Sequence, residues 1–400
     1  MERGYGSICS VVSTMSITRV GFLMENAQWS GGRNYIRNLL FALHCQSESK
    51  IQSVVFVGLK EDVSSFAGLA EIIRSPIFDR FSMAWWVRQI GMRICLKRDY
   101  VTYFLLKRHH VDVVSHFPLR WNGKLPLRTL AWIPDFQHVH LPQFFSVKEI
   151  ALRNKVFKHY IRYSDAVIVS SYDALKDLKA VYPANKPPIH VLHFVSCFAS
   201  SRDKFPGRNE LMEKYNIEYP WFHLPNQFWV HKNHKIVVEA LDKLKAQGEN
   251  ILILATGNTE DYRNPDYFTL LMQDVSRKGL EENFKVLGLV PYTDMLALMY
   301  HSIAVINPSL FEGWSSTVEE AKSMGKRLLL SDIPVHREQN PESGIFFDPY
   351  DADSLKQALL VSKQEFNPDC LCSENASKQL KRRIDKFSKE YEEILNSNIS

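Results

Sequence analysis

Short apolar runs rich in branched residues recur along this chain, each followed by a stretch of helical periodicity. That alternation restricts the possible folds more than any other feature. In the first half the runs are residues 19–24, 54–57, 111–114, 130–133, 166–169 and 189–192. In the second half they are 251–254, 285–287, 303–306 and 327–330, with helical segments such as 232–247 between them. Strands alternating with helices predict an α/β protein whose parallel sheets are covered on both faces.

The chain has 400 residues, 45% of them hydrophobic and 23% charged. That is more than one core normally serves, and it excludes a disordered chain. The polar segment 196–216, with Pro206 and Gly207, breaks the alternation and predicts a domain boundary. The expected organisation is one doubly wound domain over 1–205, a second over 206–374, and a terminal helix over 375–400 packing back toward the first. Two such domains place their strand ends, and hence a ligand, in the cleft between them.

A formal charge of +5 is too mild to imply a nucleic-acid partner, though it suits an anionic substrate or a membrane surface. Six scattered cysteines (Cys9, Cys45, Cys95, Cys197, Cys370 and Cys372) lack zinc-ligand spacing and predict a reducing compartment. Neither a signal peptide nor a membrane span is recognisable. The expected location is cytoplasmic, with any membrane contact peripheral.

The stretch FEGWSSTVEEA, residues 311–321, sits between an apparent buried strand and a helix. Ser316 with Glu319, or Thr317 with Glu320, fits a capping box, which accounts for one carboxylate but not both. Backbone N–H groups at the helix start favour a phosphate. Glu312 and Glu320, seven residues apart in between, can face one ligand, and carboxylates accept hydrogen bonds from sugar hydroxyls. A sugar nucleotide has the matching form, a diphosphate between two hydroxylated rings.

Together with Ala321, Gly325 and the run 328–338, this pair resembles the signature of the retaining glycosyltransferases of family 4, of bacterial surface-polysaccharide type. The resemblance covers most of the chain and implies the GT-B architecture, two Rossmann-like domains facing a cleft. It also implies that Glu312 lies by the donor sugar, Glu320 holds the ribose, and Gly313, Trp314, Ser315, Ser316 and Thr317 contact the diphosphate. In a second matching stretch, residues 224–234, Lys232 takes the place of a diphosphate-gripping lysine, with Asn233 beside it. Gln227 stands where the family carries an arginine. The departure leaves the leaving-group charge to Lys232 and the helix N-terminus, with His231 or Arg337 as further candidates.

Gly31 and Gly32 follow the first strand, where adjacent glycines let a backbone approach a ligand closely. By resemblance that loop closes on donor phosphate and acceptor. Asp135 and His138, in the stretch 132–142, are placed by the same resemblance near sugar and acceptor, where either could orient a hydroxyl. Hydrogen bonds that merely anchor the loop explain them as well. His138, His140 and Asp135 lack a third-ligand pattern for a metal. Asp351 and Asp353 resemble a metal motif of another glycosyltransferase architecture, but helix capping accounts for them better.

The segment 85–108 mixes aromatic and basic residues. A core-facing helix with a solvated cationic face is the simpler account, and interfacial membrane binding is the other. Under the second, the acceptor is a glycan on a polyprenyl diphosphate. The activity implied is transfer of a hexose from GDP-mannose or a UDP-hexose to a saccharide hydroxyl with retention, without metal or other cofactor. A sugar-nucleotide epimerase or hydrolase, and a non-catalytic sugar-nucleotide-binding protein, are the alternatives. A nicotinamide dehydrogenase needs a glycine fingerprint that is not well placed here.

Overall fold

The computed structural model describes residues 17–24, 30–46, 49–95, 98–116, 125–184, 187–197, 205–368 and 375–397. The first sixteen residues, Cys9, Cys370 and Cys372, and the part of the expected boundary at 198–204 lie outside them.

Two wholly parallel sheets organise the chain. The first contains β1 (Thr18–Leu23), β2 (Ile51–Val57), β3 (Glu71–Arg74), β4 (Val113–His116), β5 (Arg128–Ile133), β6 (Ala166–Val169) and β7 (Ile189–Val191), in the order β3-β2-β1-β4-β5-β6-β7. The second contains β8 (Phe222–Leu224), β9 (Ile253–Thr256), β10 (Phe284–Gly288), β11 (Val305–Asn307), β12 (Leu328–Ser331) and β13 (Gly344–Phe347), in the order β10-β9-β8-β11-β12-β13. Strand order reverses between β1 and β4 and again between β8 and β11. Those are the switch points where open α/β sheets leave a crevice at the strand ends.

The first half carries helices α1 (Ser30–His44), α2 (Met83–Ile94), α3 (Tyr100–Arg108), α4 (Gln137–His140), α5 (Val147–Tyr163) and α6 (Tyr172–Val181). The second carries α7 (Arg208–Tyr215), α8 (His234–Ala246), α9 (Tyr267–Arg277), α10 (Tyr292–His301), α11 (Ser316–Met324), α12 (Pro334–Gln339), α13 (Ala352–Gln364) and α14 (Ala376–Asn396). The inner strands are mostly buried, as apolar runs covered on both faces should be, while the edge strands β3, β7, β10 and β13 are partly exposed.

Helix α14 packs on the first sheet. Its Leu380, Phe387, Tyr391 and Ile394 share one core with Phe22 of β1, Leu39 and Leu40 of α1, and Trp132 of β5. Residues at three- and four-residue spacing give it this apolar stripe. Arg383 on the same helix pairs with Glu319 of α11, so the terminal helix touches both halves.

Candidate active site

The turn between β11 and α11 is held from beneath by buried polar groups. Asn307, fully buried, donates from Nδ2 to Ser315 Oγ at 2.7 Å, and Ser309 Oγ lies 2.7 Å from both Asn307 Oδ1 and Glu312 Oε1. Ser315 itself caps α11, accepting from the Val318 N–H at 3.4 Å. The capping box expected at Ser316 or Thr317 therefore does not form, because the helix begins one residue earlier and both candidate carboxylates have other partners. Glu319 is buried against Lys322, Arg383 and Gln339. The Ser315 N–H donates to Gln339 Oε1 at 3.3 Å, whereas the N–H groups of Ser316 and Thr317 have no partner among the described residues. An anion placed there would meet free donors and the positive end of the helix.

Lys232 enters from the other side. A one-turn 3₁₀ segment, Val230–Lys232, ends at Asn233 in the left-handed region (φ 55°), and this kink starts α8 while turning Lys232 toward Glu312. Lys232 Nζ is 2.6 Å from Glu312 Oε1. Burial pushes the Glu312 carboxyl up. The Lys232 ammonium, with His336 and the Ser309 hydroxyl, outweighs it and holds the carboxyl at about 2. His336 is fully buried and held neutral, at about 4, chiefly by burial, and its Nδ1 is 2.9 Å from the Ser331 carbonyl oxygen.

Among the described residues, Glu320 has no cation to offset its burial. It accepts one hydrogen bond, from the Tyr292 hydroxyl at 2.8 Å, and burial raises its carboxyl to about 7. Across the domain junction, the Arg37 guanidinium of α1 acts on the Tyr292 hydroxyl that donates to this carboxylate.

Several contacts join the domains around these groups. A Cβ added to Gly313 would lie 2.6 Å from the Pro134 carbonyl oxygen and 2.7 Å from Asp135 Cβ, so only glycine lets the two loops meet this closely. Trp314 donates from Nε1 to the Phe194 carbonyl at 2.9 Å and stacks on His193 at 4.4 Å. Glu338 of α12 accepts from the N–H groups of Tyr172 and Asp173 at the start of α6, at 2.7 and 3.2 Å, and lies 2.7 Å from His193 Nε2. Arg263 lies 4.7 Å over the Trp229 ring and 5.5 Å over Phe145 of the first domain, and pairs with Asp261 at 3.2 Å.

The expected residues divide accordingly. Glu312, Lys232, Gly313, Ser316, Thr317 and Glu320 surround the α11 start, and Asp135 abuts it from the first domain. Asp135 Oδ1 accepts from the Gln137 N–H at 3.0 Å, the loop-anchoring role allowed for it. Asn233 donates to the Pro349 carbonyl at 2.9 Å, so its side chain serves the turn that aims Lys232. Gln227 lines the strand exit beside Gly257, where a Cβ would come within 2.4 Å of the Asn226 carbonyl oxygen. Gly31 and Gly32 belong to the first turn of α1 and not to a loop, because the helix already starts at Ser30.

His138 is buried. Helix α4 turns it inward among Phe136, Phe145 and Phe157, with Nε2 3.0 Å from Asn154 Oδ1, and burial lowers its pKa. His140 reaches the second domain instead, its ring 5.2 Å from Phe311 and its Nε2 2.7 Å from Asp177. Sequence reading missed the supporting groups Asn307, Ser309, Tyr292 and Glu338. A polar residue ending a buried strand, as Asn307 does, was the available signal. Among the described residues no group of three or more His, Cys, Asp or Glu is placed to hold a metal ion.

Two parallel α/β domains meeting at their strand ends, with an anion-ready helix start between them, define the GT-B architecture. Residues 213–379, most of the second domain, match the family described as Glycosyl transferases group 1. The O-antigen chain mannosyltransferase RfbU of Salmonella typhimurium is 22% identical over 228 residues, 57% of this chain and 58% of that protein. O-antigen chain mannosyltransferase B of Escherichia coli is 30% identical over 96 residues, 24% of this chain and 25% of that protein. The chain thus spans less than two thirds of the length of either relative. Among solved structures, Anabaena HepE in complex with UDP and glucose superposes with a TM-score of 0.66 at 14% identity, covering 95% of this chain and all of that one.

Proposed function

We propose that this protein is a family 4 glycosyltransferase that moves a hexose, mannose or a similar sugar, from a nucleotide diphosphate to a hydroxyl of a growing, lipid-linked surface polysaccharide, with retention. The observation that carries the reading is the Lys232–Glu312 pair at the foot of the α11 start, 2.6 Å apart. A donor diphosphate seated on the free N–H groups of Ser316 and Thr317 would draw Lys232 from Glu312, and Glu312 would then accept from the sugar hydroxyls. Glu320 would take the ribose.

In the transfer, the bond from the anomeric carbon to the diphosphate oxygen breaks and a bond to the acceptor oxygen forms on the same face. The acceptor proton passes to the departing phosphate. Lys232 and the helix start stabilise the charge that develops there, so no divalent ion is required. The mannosyl assignment rests on the two O-antigen relatives, and the nucleotide diphosphate on the UDP complex of HepE. GDP-mannose and a UDP-hexose are the candidate donors.

The test is thermal unfolding in the presence of UDP, GDP, ADP and their sugars. A ligand at a hundred times its dissociation constant adds about 2.7 kcal/mol. One base should be selected, and Glu320→Gln should abolish the shift. No stabilisation by any nucleotide would sink the donor site and leave a non-catalytic protein.

A further inference from the structure

Helix α2 is turned inside out. Met83, Trp86, Val87, Ile90 and Ile94 are 87, 47, 62, 52 and 75% exposed. They recur at steps of three and four and so form one continuous stripe along the whole helix. On the opposite side Arg88 is 2% exposed. Its guanidinium lies 2.6 Å from the carboxylate of Asp99, which is fully buried, and 5.5 Å over the Phe78 ring. Asp99 also caps α3, accepting from the Thr102 N–H at 3.1 Å. These contacts fix the rotation of α2, so the core-facing helix with a solvated cationic face expected from sequence is reversed here.

Along the segment that carries the stripe, the exposed charges have one sign. Between residues 80 and 108 Asp99 is the sole carboxylate, and Arg88 neutralises it inside. Arg80, Arg93, Arg98, Lys107 and Arg108 are exposed. Neighbouring Asp79 is tied to the Leu59 N–H at 2.9 Å. Phe81, next to the helix start, and Phe104, on α3, are also largely exposed.

We infer that α2 docks on an anionic lipid surface, its apolar stripe at the acyl boundary and its flanking cations on the headgroup phosphates. A second copy of the chain, meeting this face through a two-fold axis, would set cations against cations. Among the described residues no helix is long and apolar enough to cross a membrane, so contact through α2 is lateral. The inference does not depend on the donor site.

The full chain should co-sediment with vesicles of equal parts phosphatidylcholine and phosphatidylglycerol, and the bound fraction should fall about tenfold on pure phosphatidylcholine or in high salt. Trp86→Ser with Ile90→Ser, and separately Arg93→Glu with Arg98→Glu, should each lower binding about tenfold with an unchanged melting temperature. Absence of binding, equal binding to neutral vesicles, or variants that bind like the parent would overturn it. So would a wild-type dimer that Ile90→Glu dissolves, since that makes a second copy the occupant.

Discussion

Lys232 Nζ lies 2.6 Å from Glu312 Oε1, joining the entry of α8 to the turn ahead of α11. Both groups are largely buried, so removing one strands the other. Breaking such a pair costs about 3–5 kcal/mol. Lys232→Ala should therefore lower the melting temperature as well as turnover at saturating donor, the latter about 10²–10³-fold. Lys232→Ala combined with Glu312→Gln should regain stability without activity. A double variant as unstable as the single one would remove the charge argument. The Glu312 carboxyl is depressed to about 2 from an ordinary 4.5, so its share of stability is present above pH 4.5 and is lost as pH falls through 2.

The same pair shows what was readable in the chain. Glu312, Glu320 and Lys232 stand in motifs with distinctive spacing, and the parallel sheets follow from the apolar runs. Three strands escaped. β3 is a half-exposed edge, β8 is three residues with His223 at its centre, and β13 opens on glycine, so none shows an uninterrupted apolar run. The setting of His138 and of the two glycines was unreadable for a different reason. Whether a residue near a strand end faces a cleft or a core depends on the helix that follows, and short or early helices such as α4 and the first turn of α1 give little periodicity to read.

The ribose contact proposed for Glu320 makes nucleotide binding pH-dependent. Its folded pKa, about 7, exceeds the ordinary 4.5, so its stabilising contribution is complete below pH 4.5 and is lost as pH rises through 7. Ribose hydroxyls donate to a carboxylate and favour its ionised form. Nucleotide binding near pH 7 should therefore release a proton, and affinity should weaken as pH falls from 8 to 6, by up to about tenfold per unit. Calorimetry in buffers of different ionisation enthalpy measures the release. The same pH profile in a Tyr292→Phe variant, which removes the one hydrogen bond on Glu320, would show that another group titrates.

Glu338 holds the domains together through the start of α6. A carboxylate at a helix N-terminus contributes about 0.3–1 kcal/mol, and up to about 2 when partly buried. Here it also receives two backbone N–H groups and lies against His193. Glu338→Gln should weaken the junction by about 1–2 kcal/mol and increase the radius of gyration in small-angle scattering, more without nucleotide than with it. Unchanged scattering in both states would mean that Trp314 and Gly313 suffice to hold the junction.

Gly313 tests closure most directly, because its missing Cβ is the space into which Pro134 and Asp135 fit. The atoms that alanine would meet include backbone, so relief requires the loops to separate. Overpacking of this kind costs about 1–3 kcal/mol. If the closed junction is the reacting state, Gly313→Ala should lower kcat/KM about 5- to 100-fold, and nucleotide affinity less, because Lys232, Glu320 and the α11 start all belong to the second domain. Equal losses in both would place the damage in the donor site. Full activity would mean that transfer occurs with this part of the cleft open, and would remove the role near the sugar that the family resemblance implies for Asp135.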